Sequence, residues 1–124
     1  MSTPFVLIAE DDPDLRELVV LTLRDAGIDV DEAGDGCEAL ARIVERKPDL
    51  VLLDMMMPVM DGFGFADALR AMDQPPPVLV MTAADHAAQS ARKIGAVGWL
   101  AKPFDIDALV KTVSRCLEKC ELLR

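Results

Sequence analysis

Four stretches of this sequence place ionisable or hydroxyl side chains directly after apolar runs. Glu10-Asp11-Asp12 follows Phe5 to Ala9, Asp54 closes Leu50 to Leu53, Thr82 follows Val78 to Met81, and Lys102 comes soon after Val97 to Leu100. Carboxylates such as Glu10, Asp11 and Asp54, brought to one place, do not stay ionised together without a cation. Hard divalent ions with oxygen ligands suit them, and Mg2+ takes a few carboxylates while keeping waters. An aspartate beside such an ion can act as a nucleophile toward a phosphoryl group. Thr82 and Lys102 can then hold the phosphoryl oxygens, the lysine as a point charge. Phosphoryl transfer needs little beyond such positioning and electrostatics. The bland alternative for Glu10 to Asp12 is a solvated turn. Asp12, which precedes Pro13, reads first as a helix cap.

These side chains meet only if the intervening elements bring them together. The runs Phe5 to Ala9, Leu50 to Leu53 and Val78 to Met81 are short and apolar without alternation, as in strands buried on both faces. Val97 to Leu100 is a weaker strand, and Ile28 to Asp31 supplies a fifth. Helical spacing lies between them. It runs through Leu15, Leu18, Val19, Thr22 and Ala26, then Ala39, Leu40, Ile43 and Val44, then Phe63, Ala66 and Leu69. The clearest helix holds Ile106, Leu109, Val110, Val113, Leu117 and Cys120. Gly27 and Gly95 end helices, Lys47-Pro48 stops the second, Pro75 to Pro77 is linker, and Asp105 caps the fifth. Strand and helix alternate five times, which implies an α/β fold with a parallel sheet and helices on both faces. In such a sheet ligands bind beyond the carboxyl ends of the strands, where these polar residues stand.

Composition narrows the function classes. The chain has 124 residues, one domain's worth, and a formal net charge of −9. That charge argues against binding nucleic acid or an anionic membrane surface, both of which need surplus Lys and Arg. No apolar run is long enough to span a bilayer, and Met1 to Ala9 has no basic region or signal-length apolar stretch, so a cytoplasmic protein is expected. Cys37, Cys116 and Cys120 are an odd set in a chain with a good core and read as free thiols in a reducing compartment. Cys116 and Cys120 share a helix face, and His86 is the single imidazole, too few for a thiolate-imidazole metal site.

The rim residues and their neighbours resemble the receiver domain of two-component response regulators. The marks are Ile8-Ala9-Glu10-Asp11-Asp12, Asp54-Met55-Met56-Met57-Pro58, Met60-Asp61-Gly62, Met81-Thr82-Ala83 and Lys102-Pro103-Phe104, in this order. The resemblance covers Phe5 to about Leu117 and implies a single receiver domain over residues 1–124. It implies a five-stranded doubly wound sheet of flavodoxin-like order 2-1-3-4-5 with five helices. By the same match, Asp54 is the phosphoacceptor. Glu10, Asp11 and Asp54 hold Mg2+ with the Met56 carbonyl, and Thr82 and Lys102 contact the phosphoryl group. The resemblance further implies that the Lys102-Pro103 peptide is cis and that a histidine kinase or histidine phosphotransfer protein donates the phosphoryl group. It implies that a downstream protein then reads the face formed by the fourth helix, fifth strand and fifth helix, and that the domain promotes its own phosphotransfer without being a turnover enzyme.

Several positions depart from the family pattern. Trp99 stands where the family usually has a tyrosine or phenylalanine switch residue alongside Thr82; its alternative is an aromatic packed on the last helix. Met56 and Ala84, two residues past Asp54 and Thr82, cannot hydrogen-bond an attacking water through their side chains, which implies a long-lived phosphoryl group. Val97-Gly98, Ala108 and Thr112 replace charges used by family members that dimerise through this face. Met55, Met56, Met57 and Met60 are read as core and loop filling beneath the site. His86 is read as exposed at the start of the fourth helix. Two other functions compete. A phosphatase with an aspartate nucleophile wants an acid where Met56 stands. A phosphorylation-independent adaptor would keep the fold for binding alone.

Overall fold

A computed structural model describes residues 3–122 of the chain. Every residue of β1 (Phe5–Ala9) and β3 (Leu50–Asp54) is buried, as expected of strands covered on both faces. They pair with each other in parallel, and β2 (Asp29–Ala33), β4 (Val78–Ala83) and β5 (Gly98–Lys102) complete one sheet of order β2-β1-β3-β4-β5. The strand order reverses between β1 and β3, so the crevice expected of a doubly wound fold lies at their carboxyl ends.

The helices are α1 (Pro13–Asp25), α2 (Gly36–Glu45), α3 (Gly62–Arg70), α4 (Ala84–Ile94) and α5 (Ile106–Leu122). They divide the core into two layers. On one face Val19, Val20 and Leu23 of α1 and Leu109, Val113 and Cys116 of α5 cover Val6, Ile8, Leu50, Leu52, Leu79, Met81 and Leu100. On the other, Ala39, Ile43, Phe65, Leu69 and Ala91 from α2, α3 and α4 cover Leu7, Ala9, Val51, Leu53, Val78 and Val80. Alternate strand residues thus feed opposite layers, following the two-residue period of the pleat. Among the described residues no helix is long and apolar enough to cross a membrane.

The expected punctuation is present. Asp12 accepts from the backbone N–H groups of Asp14 and Leu15, with Pro13 opening α1. Gly27 (φ +84°) and Gly95 (φ +70°) adopt left-handed conformations just past their helices. Asp105 accepts from the Ala108 N–H at 2.7 Å, and the Lys102-Pro103 peptide is cis. Some boundaries differ from expectation. α1 buries Val19, Val20 and Leu23 and leaves Leu18 exposed, because the Leu18-to-Leu23 stretch is apolar on more than one side and the sheet selects its face. β2 and β5 run farther toward their carboxyl ends than their apolar residues indicate. Pairing to β1 and β4 extends them through Ala33 and Lys102. Thr82 lies within β4, not after it.

The loop from β3 to α3 is tight. The Gly62 N–H donates to the Met55 carbonyl at 3.0 Å, and a Cβ at Gly62 would sit 2.7 Å from the Met55 Cα, so only glycine fits. Earlier in the same loop the Met60 N–H donates to the Pro58 carbonyl at 2.7 Å, closing a turn centred on Val59. Val59 has φ +70°, costly for a β-branched residue, and its side chain is 82% exposed. Asparagine accepts a positive φ more readily than a β-branched residue and loses no burial there. Val59→Asn is expected to stabilise the protein by about 1 kcal/mol. A raised urea midpoint at unchanged slope would show it; no rise would mean the loop carries no such strain.

Candidate functional site

Strand register brings the polar residues level. Ala9 pairs with Leu53, so Glu10 stands beside Asp54. Asp54 pairs with Met81, which puts Thr82 one residue beyond, and Ala83 pairs with Lys102. The pleat then sorts them. Glu10, Asp54 and Lys102 continue the parity of Ile8, Leu52 and Leu100, the layer under α1 and α5. Thr82 continues the parity of Val80, the opposite layer. The apolar alternation that builds the core thus places three charged groups together at its upper end, with a hydroxyl across the sheet plane.

The charged groups are in contact. Lys102 Nζ lies 2.6 Å from Glu10 Oε1 and 3.3 Å from Asp54 Oδ2. The other Asp54 oxygen accepts from the Met56 N–H at 3.1 Å, and Glu10 Oε2 accepts from the Asp12 N–H at 3.2 Å. Glu10 is wholly buried and the Asp54 side chain is 5% exposed. Burial, followed by the neighbouring Asp54, raises the Glu10 carboxyl above its ordinary value. Burial would lower the Lys102 ammonium, but the Glu10 hydrogen bond and the charges of both carboxylates outweigh it and hold the ammonium above its usual range.

Glu10, Asp11 and Asp54 can each offer one carboxylate oxygen with all three within 4.8 Å of one another. Three carboxylates against one ammonium leave an excess of two negative charges. Oxygen donors alone, with Asp11 exposed at the rim, suit a hard divalent cation that keeps part of its water shell. Thr82 is buried at the end of β4, two residues before α4 begins. The Met56 backbone holds Asp54, but the Met56 side chain is 75% exposed, so it does not fill the core as expected; Met55 and Met57 do. The chain turns outward after the strand, and Met56, Pro58 and Val59 face solvent.

The remaining candidates lie elsewhere. Trp99 is 51% exposed on the edge strand β5 and borders a groove of about 380 Å³ with Gly98, Thr112, Arg115, Cys116 and Lys119. His86 is exposed near the start of α4. Cys116 and Cys120 are buried on α5 and Cys37 is exposed, and none of the three forms a disulfide. Sequence reasoning missed Arg16. Its guanidinium donates to the Glu10 carbonyl at 2.8 Å and to Glu32 Oε1 at 3.0 Å. The visible signal was only an arginine one turn into a helix that follows an acidic stretch.

The family described as response regulator receiver domain matches residues 6–114. The transcriptional regulatory protein PrrA of Mycobacterium leprae is 39% identical over 121 residues, 96% of this chain and 52% of PrrA. The chain spans about half the length of the curated relatives it matches. The chemotaxis response regulator CheY4 of Vibrio cholerae superposes with a TM-score of 0.85 at 39% identity, covering 93% of this chain and 99% of CheY4. NtrX of Brucella abortus gives 0.91 at 32% identity, covering 99% of this chain and 28% of NtrX.

The cluster predicts opposite effects for its two signs of charge in metal-free protein. Lys102→Met leaves two buried carboxylates facing each other and is expected to cost about 3 kcal/mol near pH 8. Asp54→Asn removes one like charge and is expected to stabilise by about 1 kcal/mol. A carboxyl raised in the folded state favours folding below its unfolded value, and that contribution is lost as pH rises through the folded value. The Lys102→Met loss is therefore smaller at pH 5 than at pH 8, because the raised Glu10 carboxyl regains its proton more readily as the pH falls. Urea unfolding with a chelator present reads all three; an equal loss at both pH values would show that the ammonium does not hold the carboxylates together.

Proposed function

Since the chain belongs to the response regulator receiver domain family, we propose that it acts as the phosphoacceptor switch of a two-component system, with Asp54 carrying the phosphoryl group. The carrying observation is the meeting of Glu10, Asp11, Asp54 and Lys102 at the carboxyl edge of the sheet. Residues 1–124 then form one receiver domain, and a histidine kinase or histidine phosphotransfer protein donates. Receiver domains bind Mg2+ at an acidic pocket, and here Glu10, Asp11, Asp54 and the Met56 carbonyl would hold it. When bound, Mg2+ supplies the positive charge that lets an anionic phosphoryl group approach two carboxylates.

The chain's own groups do the rest. The Met56 N–H fixes one Asp54 oxygen and Lys102 the other, so the carboxylate is aimed before the donor arrives. An Asp54 oxygen forms the new bond to phosphorus as the bond to the donor imidazole nitrogen breaks. Lys102, kept charged by its two carboxylate neighbours, is 3.3 Å from Asp54 and needs only a small movement to hold a phosphoryl oxygen. Thr82 supplies a hydroxyl from the opposite layer. Its recruitment moves the start of α4, which begins at Ala84 with no side-chain cap to anchor it. The face of α4, β5 and α5, including the Trp99 groove, is then read by a downstream protein.

PrrA is named as a transcriptional regulator, and about half of its length lies outside the match. With a net charge of −9, this chain is not the part expected to touch nucleic acid. A cytoplasmic location follows from the proposed donor. With Glu10, Asp11, Asp54, Thr82 and Lys102 all near the carboxyl edge of the sheet, no observation favours the phosphorylation-independent adaptor.

Acetyl phosphate with Mg2+ is expected to add one phosphoryl group by intact mass to the wild type and none to Asp54→Asn. No addition to the wild type from acetyl phosphate or a phosphorylated kinase would overturn the switch. The exposed Met56 side chain and Ala84 offer no hydrogen bond to an attacking water, so the phosphoprotein is expected to decay over minutes or longer. Decay within seconds would contradict this. Beryllofluoride with Mg2+ is expected to change the emission of Trp99, the sole tryptophan; an unchanged spectrum at saturation would show that β5 is not coupled to the site.

A further inference from the structure

We propose that Arg16 is a positioning residue for the cation site, acting through the Glu10–Asp11 peptide; this rests on reading Glu10, Asp11 and Asp54 as that site. Glu10 is restrained at three places by other groups. Its N–H donates to the Ala33 carbonyl at 3.0 Å, and its carboxylate accepts from Lys102 and from the Asp12 N–H. The fourth restraint is Arg16 Nη1, which donates to the Glu10 carbonyl at 2.8 Å. That carbonyl belongs to the peptide leading into Asp11. Its direction sets the peptide plane, and the plane sets where the Asp11 side chain leaves the backbone. Asp11 is exposed and makes no hydrogen bond or ion pair of its own among the described residues, so its aim depends on its backbone.

Arg16 is itself held. Its Nε donates to Glu32 Oε1 at 3.0 Å, which ties α1 to β2 on the far side of the loop. This pair has a second consequence. A guanidinium this close to a cation site would repel the cation, and Glu32 offsets its charge. Only arginine can do both tasks, because its planar fork presents separate donors to the carbonyl and to the carboxylate. The Arg16 side chain is 22% exposed, so the contact with Glu10 is shielded from competing water more than a surface pair would be.

Mg2+ titration by calorimetry tests this on the whole chain, with circular dichroism and urea unfolding run alongside. Arg16→Ala and Arg16→Lys are expected to bind Mg2+ about tenfold more weakly than wild type. A residue that merely stabilises the fold would lower the urea midpoint and leave the Mg2+ affinity of the folded protein unchanged. Glu32→Gln leaves the guanidinium charge unbalanced and is expected to weaken Mg2+ binding by a smaller factor. Added salt should narrow the Glu32→Gln deficit, relative to wild type at the same salt, but not that of Arg16→Ala, since screening offsets repulsion and cannot restore a lost hydrogen bond. Folded Arg16 variants with wild-type Mg2+ affinity overturn the proposal while leaving the cation site intact. Should Arg16→Ala fail to fold, Arg16→Lys decides the matter by the same criterion. A wild-type chain that does not bind Mg2+ overturns the reading of the site itself, and this inference with it.

Discussion

Two buried carboxylates share one lysine at the carboxyl edge of this sheet, and the placement of that cluster depends on the rest of the fold. Lys102 is 92 residues from Glu10 and 48 from Asp54 along the chain. Its contacts therefore require β1, β3, β4 and β5 to lie side by side in the observed order and register. A shift of one residue in β1, β3 or β5 would send a charged side chain to the opposite layer, and in β4 it would do the same to Thr82. The apolar residues prevent that shift, because Ile8, Leu52 and Leu100 would leave their layer at the same time. The core thus guards the site's geometry although it takes no part in the chemistry.

The site is left unbalanced. An excess of two negative charges persists after Lys102 is counted, and burial together with the neighbouring Asp54 raises the Glu10 carboxyl. A well-compensated cluster would gain little from a cation. A divalent ion bound here would offset that excess, and a newly attached phosphoryl group would change the charge balance again. The tight β3–α3 loop and the uncapped start of α4 flank the cluster. One is fixed by Gly62 against Met55. The other lacks a side-chain anchor, so a local change of charge has a direction in which to be transmitted.

Much of this was legible beforehand for identifiable reasons. Continuous apolar runs mark strands covered on both faces, and Asp12, Gly27, Gly95 and Asp105 bound helices through local backbone chemistry. The polar residues at strand ends were visible as interruptions of those runs. Less legible was whatever depended on a neighbour distant in sequence. The inward face of α1 was misplaced because its sequence is apolar on more than one side. β2 and β5 end where pairing stops, not where apolar residues stop. The Met56 side chain turned outward because the loop, not the strand period, governs it.

By itself the sequence determined the alternation of strands and helices, their caps, and the set of side chains at the strand ends, since each follows from local periodicity and backbone preference. Only the tertiary structure decided which of those side chains touch. It joined Lys102 to both carboxylates, set Thr82 in the opposite layer, and brought Arg16 between Glu10 and Glu32. The physical reason is that a hydrogen bond or ion pair is specified to within a few tenths of an ångström. Strand register and helix rotation set positions that finely, and both are settled by packing of the whole core.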